Sequence, residues 1–233
     1  MHTPKKRNLR TIAGLATAAV LTVPLAACSQ DVGTTASASN EQSSSQTPIE
    51  PRATVAMLSG DNTQVALDQG FVQALQQLKL TPGVVGDAEL VGGDTLEFPI
   101  TGGNVSVYEP GEVNPYVVGQ IQHEGSGLSL SAKGTTVEIT NLNVDPTISK
   151  VYGDVTVDGK VAATSVPVFN LDGRTLQPLE MKGDDAILQG TKVQVSEVAA
   201  PLLNETFGTD AIKRGLVVGT ATITASTAPA PAA

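Results

Sequence analysis

The chain has 233 residues, of which 14 are basic and 23 acidic, for a formal net charge of −9 at pH 7. This acidic balance opposes nucleic-acid binding, which needs a basic face for the phosphates, so we expect no nucleic-acid partner. A single cysteine excludes an intrachain disulfide and zinc or iron–sulfur sites built on several thiolates. Aromatic residues make up 3% of the chain and Trp is absent, so the core must be aliphatic.

The N-terminal segment has the three parts of a secretory signal peptide. Four basic residues fall between Lys5 and Arg10, an apolar stretch follows from Ile12 to Val23, and Leu25-Ala26-Ala27-Cys28 closes the segment. The apolar stretch is shorter than the roughly 20 residues of a membrane-spanning helix. The ending is similar to the lipobox of bacterial lipoproteins.

This resemblance implies that residues 1–27 are a lipoprotein signal peptide and that Cys28 is the lipid attachment site, acylated as in palmitate-carrying lipoproteins. We therefore expect anchoring in the bacterial cell membrane, with the protein facing the extracytoplasmic side. Residues 28–233 hold ten basic against 23 acidic residues, a net charge of −13. That charge opposes docking on anionic lipid through a basic patch, so Cys28 is the expected link to the membrane.

The remainder divides into three parts by composition. Residues 28–53 comprise the predicted lipidated cysteine and a disordered tether, rich in Ser, Thr, Gln and Ala and without apolar periodicity. Residues 54–224 form a single predicted domain, since about 170 residues is an ordinary domain size. Residues 225–233 are mainly Ala and Pro and form a predicted disordered tail.

The domain is mostly β by pattern. Thr136–Val144 alternates over nine residues, with a change of face near Asn141 that predicts a bulge. Asp158-Gly159 lies between alternating runs and predicts a two-residue hairpin turn. Many short strands, with Gly at nearly every junction, predict an antiparallel β-sandwich or barrel-like domain with one or two short helices.

Two helices are predicted at opposite ends of the domain. The first begins at Gln69 after the capping residue Asp68, and Pro82-Gly83 stops it. The second runs from about Glu197 to Phe207, with Ser196 as its cap and Gly208 at its end, and Pro201 favours a start nearer Ala200.

Of the two histidines in the sequence, His2 lies in the predicted signal peptide and His123 in the predicted domain. His123 is the side chain best suited to carry chemistry. A base oriented by Glu124 is disfavoured, because adjacent residues on a strand point to opposite faces. The sequence contains no G-x-S-x-G motif and no calcium-loop pattern. We therefore expect no catalytic residue and no metal site, and His123 lies either in a polar turn between strands or in contact with a ligand.

Three segments appear in an order that matches a known domain. Gln120–Leu130 resembles a strand that ends in a His-Gly-Gly turn before an alternating strand. Thr136–Val144 is similar to the strand that follows, and Val198–Gly208 is similar to a closing helix. Together, Gly119–Ile223 resembles the HtaA domain of bacterial surface haem-binding proteins. The resemblance implies an HtaA-like fold, with haem bound by a tyrosine that ligates the iron and a supporting histidine, whose place His123 takes.

The candidate ligand-binding residues are His123, Tyr116 and Tyr108. The closing helix offers Phe207 where members of the family often have Tyr, and a phenyl ring cannot ligate iron. The residues by themselves call for no cofactor, and haem is the one that the resemblance implies.

Three functions remain open at this level. The first is a membrane-anchored, non-enzymatic binding or structural module of the cell envelope, with an envelope protein as its partner. The second is a surface haem-binding lipoprotein for haem capture or relay. The third, an envelope enzyme, lacks a nucleophile–base pair or a metal cluster in the sequence. The oligomeric state is left open.

Overall fold

The computed structural model describes residues 48–58 and 60–227. The predicted signal peptide, Cys28, most of the predicted tether and most of the predicted tail lie outside the described residues. Within the described part, strands form one antiparallel sheet that curls into a half-barrel, accompanied by two short α-helices. The predicted barrel-like β fold is therefore confirmed. No helix in these two ranges is long and apolar enough to cross a membrane.

The helices are α1, Gln69–Leu78, and α2, Ala199–Phe207. The strands are β1 Ala53–Val55, β2 Asn62–Leu67, β3 Thr81–Gly86, β4 Glu89–Val91, β5 Thr95–Pro99, β6 Gly102–Val107, β7 Val117–Ala132, β8 Thr135–Asp145, β9 Lys150–Val157, β10 Lys160–Asp172, β11 Glu180–Lys182, β12 Asp185–Val195 and β13 Val217–Ser226. Their order in the sheet is β1-β6-β7-β8-β9-β10-β12-β13-β2-β5-β4, with β11 paired to β12 and β3 to β7.

The long strand β7 organises one side of the sheet. It pairs with β8 along most of its length, with β6 over its first half and with β3 over its second half. The predicted polar turn around His123 is wrong, because β7 runs through it without interruption. The local feature there is a register shift in the β7–β8 pairing between His123 and Gly127.

Two local predictions on neighbouring strands are confirmed. Asp158 and Gly159 connect β9 to β10 with φ of 49° and 74°, the positive values that a two-residue I′ turn requires. Asn141 has φ of 52° and lies at a register shift in the β8–β9 pairing, where the change of face predicted a bulge.

The helix predictions hold at three of their four ends. The Asp68 carboxylate accepts a hydrogen bond from the Phe71 N–H at 3.1 Å at the start of α1, and α2 ends at Gly208 with φ of 63°. The helix α2 begins at Ala199, two residues after Glu197 in the predicted segment. The predicted stop of α1 is wrong: Leu78 is the last helical residue, Lys79 caps the helix in the left-handed conformation, and Pro82 and Gly83 belong to β3.

The core lies on the concave side of the curled sheet and is mainly aliphatic, as the composition requires. The helices cover one part of this concave side, where Leu75 of α1 and Leu203 of α2 help to line a cavity of about 170 Å³. A second, larger cavity occupies a part of the concave side to which neither α-helix contributes.

Candidate functional site

The larger cavity has a volume of about 360 Å³, within the range of small-molecule binding sites. Most of its wall consists of buried aliphatic side chains that project inward from the strands. It borders the smaller cavity, because four residues contribute to the walls of both: Leu96, Leu128, Phe169 and Val218. Other aliphatic residues of the wall are Val117, Ile121, Leu142, Val144, Leu188 and Val193.

His123 lies on the wall of this cavity and is 1% exposed. Its Nδ1 lies 3.3 Å from the Leu142 carbonyl oxygen, which can only accept a hydrogen bond, so Nδ1 carries the proton. Its Nε2 lies 2.8 Å from the Thr63 hydroxyl and therefore accepts from it. The edge of the Phe98 ring meets the imidazole at 78°, with centroids 6.3 Å apart. Both ring nitrogens are thus satisfied within the protein.

Burial controls the protonation of this histidine. Desolvation lowers the pKa of His123 to about 4, and the hydrogen bond to the Leu142 carbonyl offsets part of that effect. His123 is therefore neutral at pH 7. On the other face of β7, Glu124 is exposed, so the carboxylate does not orient the imidazole.

Tyr116 directly precedes β7 and lines the same cavity as His123. The tyrosine is half-buried, and desolvation raises the pKa of its phenol. Its backbone carbonyl accepts a hydrogen bond from the Tyr108 N–H at 2.7 Å, which fixes the entry of the chain into β7. The structure therefore brings a neutral phenol and a neutral imidazole to one apolar wall.

The other aromatic candidates lie outside this wall. Tyr108 neighbours Tyr116 along the backbone, but its side chain does not line the larger cavity. Tyr152, on β9, and Phe207, on α2, are also absent from the lining, and Phe207 packs against the core instead. Of the three predicted ligand-binding residues, the cavity unites His123 and Tyr116 and leaves Tyr108 aside.

Some polar residues of the site are not predicted from the sequence, and Thr63 and Arg174 are the two that matter for its chemistry. Thr63 is 5% exposed and pairs in register with Phe98, and its hydroxyl lies 2.8 Å from Nε2 of His123. Arg174 lies in a single-turn 3-10 helix, Gly173–Thr175, and reaches the exposed rim of the cavity. Neither stands in a motif, and only an alternating pattern around Thr63 hints that this residue shares a face with Val65.

The fold has counterparts among solved structures. No protein-family model matches the chain, and no curated protein sequence matches it. The C-terminal domain of HtaA from Corynebacterium glutamicum superposes with a TM-score of 0.51 at 14% identity, covering 74% of this chain and 99% of that chain. The haem-binding protein HtaB from the same organism gives a TM-score of 0.46 at 9% identity, covering 75% of this chain and 96% of its own.

The domain therefore has an HtaA-like fold. That conclusion rests on the HtaA C-terminal domain, whose whole length is matched, and the low identity limits it to the fold. It agrees with the resemblance that the sequence carries between Gly119 and Ile223. The chemistry of the site depends on this chain's own residues, since a shared fold does not fix function.

Proposed function

We propose that this domain binds haem in the larger cavity and serves in haem capture or relay at the cell envelope. The observation that carries the proposal is that one apolar cavity is lined both by Tyr116, just before β7, and by His123, within β7. The HtaA-like fold and the sequence resemblance to surface haem-binding domains support it. The proposal favours the haem-binding alternative over a general structural module of the envelope.

The residues present fit a haem ligand. Aliphatic walls suit the faces of a porphyrin, and a tyrosine phenolate is a known axial ligand of haem iron. Tyr116 supplies the phenol, and its raised pKa means that ligation releases a proton from this residue. His123 does not compete for the iron, because Thr63 and Leu142 occupy both ring nitrogens.

The role of His123 in the proposed site is to support the wall. Its hydrogen bond to Thr63 joins β7 to β2 across the cavity, and its ring packs against Phe98. This matches the supporting histidine that the resemblance implies. No acid–base chemistry is assigned to the site, since His123 is neutral and satisfied, and the proposed function is binding without catalysis.

The test is an absorbance titration of the purified protein with hemin. We expect a saturable Soret shift at one equivalent. Tyr116→Phe removes the phenolate and should weaken binding by at least about tenfold, with loss of the tyrosinate-to-iron charge-transfer band. Tyr108→Phe is the matched control, because its ring lies outside the cavity, and it should titrate as the wild type does. A flat wild-type titration would leave a structural or protein-binding module, and equal loss in both variants would remove Tyr116 from its role.

We also propose that the domain is displayed outside the cytoplasm by a lipid on Cys28, which the Leu25-Ala26-Ala27-Cys28 ending supports. Replacement of Cys28 by Ala should move the protein from the membrane fraction to the soluble fraction, while Ser29→Ala should leave it in the membrane. Unchanged membrane association of the Cys28 variant would contradict the anchor.

A further inference from the structure

The turn that carries Arg174 is fixed against the neighbouring strand. The Thr175 hydroxyl donates to the Gly190 carbonyl at 2.6 Å, and the Gln177 N–H donates to the Gln189 carbonyl at 2.8 Å. Gly190 has φ of 103°, and a Cβ there would collide with the Thr175 carbonyl oxygen. This close approach holds the Gly173–Thr175 turn at one position on β12 and so places Arg174 at the rim of the larger cavity.

Asp172 orients the guanidinium at that rim. Nε and Nη2 of Arg174 lie 2.8 Å from Oδ1 and 2.6 Å from Oδ2 of Asp172, a bidentate pair. The Asp172 side chain is 15% exposed and also accepts from the Arg174 backbone N–H, whereas the Arg174 side chain is 87% exposed. Nη1 lies outside the bidentate pair, so the arginine keeps donors that can reach an incoming anion.

The described lining of the cavity presents a cation and no acid, because Asp172, the partner of that cation, does not line the cavity. Among the described residues that line the larger cavity, Arg174 is the one permanently charged side chain, and none is a carboxylate. The chain as a whole carries 23 acidic against 14 basic residues, so the charge of this lining is opposite in sign to the net charge of the protein. The buried end, by contrast, holds the neutral His123 and the Thr63 hydroxyl.

From this arrangement we propose that Arg174 binds a carboxylate of the ligand at the rim. The site would then take an amphipathic ligand whose apolar body fills the cavity and whose acid group remains outside, beside Arg174. For haem, this assigns the propionate edge to the Gly173–Thr175 turn and so fixes the orientation of the macrocycle. The assignment rests on the proposed function and adds to it a residue that selects for acidic porphyrins.

The experiment compares hemin with hemin dimethyl ester, in which both carboxylates are blocked. Each is titrated into the wild type, Arg174→Gln and Lys192→Gln, with the Soret band as readout. Lys192→Gln is the matched control, because Lys192 also lies near Asp172 but does not line the cavity. We expect the ester to bind the wild type and Lys192→Gln about fivefold more weakly than hemin does, the size of an exposed ion pair. Arg174→Gln should bind both compounds equally, at the weaker value.

Two results would overturn the assignment, and they are distinguishable. If the wild type binds hemin and its ester equally well, or if Arg174→Gln keeps the preference for hemin, Arg174 does not bind the carboxylate and the proposed haem site still stands. If neither compound gives a saturable titration with the wild type, the haem proposal fails and the Arg174 assignment fails with it.

Discussion

At the scale of single residues, the hydrogen bond between His123 and Thr63 joins parts of the sheet that are far apart. Five strands separate β7 from β2 in the sheet order, yet the two side chains meet at 2.8 Å across the concave interior. His123 therefore stabilises the curl of the half-barrel as well as the cavity wall. Because the imidazole is neutral and buried, its contribution depends on pH.

We predict that stability falls between pH 7 and pH 4 because of His123. The pKa is 6.5 in the unfolded reference and about 4 in the folded protein, so the unfolded chain takes up the proton first as pH falls. The loss begins near pH 6.5, is complete below about pH 4, and amounts to about 3 kcal/mol at pH 4. Urea denaturation at pH 7, 5.5 and 4 measures it.

His123→Gln is the control for this pH dependence. It should be less stable than the wild type at pH 7 but should lose little more between pH 7 and 4.5. Asp172 and Glu197, whose pKa is lowered to about 2 from 3.8 and 4.5, lose most of their contribution below pH 4, and both carboxylates are present in the variant as well. An identical pH slope in the variant and the wild type would show that the effect arises elsewhere.

The sequence singles out His123 because it is the histidine beyond the signal peptide, and Tyr116 because tyrosines are few. It does not predict that the two share a wall, since that depends on the pairing of β6 and β7 around them. Thr63 could not be found at all, because it lies 60 residues from His123 in the chain and its contact exists only after the sheet has curled. Burial of His123 likewise follows from tertiary packing.

Among the elements, the antiparallel pairing of β3 with β7 depends on a glycine at its end. Gly86 has φ of 63°, and a Cβ at that position would collide with the Gly125 carbonyl oxygen. The two strands therefore approach more closely there than any side chain permits. Gly183 has nearly the same φ, 64°, but a Cβ there would meet nothing within 4 Å.

This pair of glycines gives a matched prediction. Gly183→Ala should cost about 1 kcal/mol, the usual penalty of a left-handed backbone for an L-residue. Gly86→Ala carries the same penalty plus the collision, so the loss should exceed about 3 kcal/mol. Thermal or urea unfolding of the two variants separates the cost of the left-handed backbone from the cost of the collision. Equal losses would mean that β3 moves away from β7 without cost.

Elements with their own turn chemistry could be predicted from the sequence. Asp158-Gly159 adopts the positive φ values that it favours, and the change of face at Asn141 marks a bulge. Pro82-Gly83 misleads because the same dipeptide also suits an edge strand. Among the described strands, β3 pairs with β7 alone, so one edge of β3 has no partner strand and tolerates Pro82, which has no N–H to donate. The helix α1 has already ended before this point, at its capping residue Lys79.

At the scale of the whole molecule, the cavity is a product of long-range pairing. β2 pairs with β13, and β1 with β6, so strands from both ends of the domain are neighbours of strands distant in sequence. Alternation predicts the strands and their buried faces but not this order, because each pairing depends on partners elsewhere in the chain. The barrel-like class could therefore be predicted, whereas the open cavity at the uncovered part of the concave side could not.

The proposed haem site requires that a porphyrin occupy the larger cavity. The most direct measurement is methyl NMR of the protein titrated with gallium protoporphyrin IX, a diamagnetic stand-in for hemin. We predict large ring-current shifts at one equivalent for Val117, Leu142 and Val144, which line the cavity, and none for Val161, which is 71% exposed on β10. Shifts confined to exposed methyl groups such as those of Val161, or no shifts at all, would contradict the account.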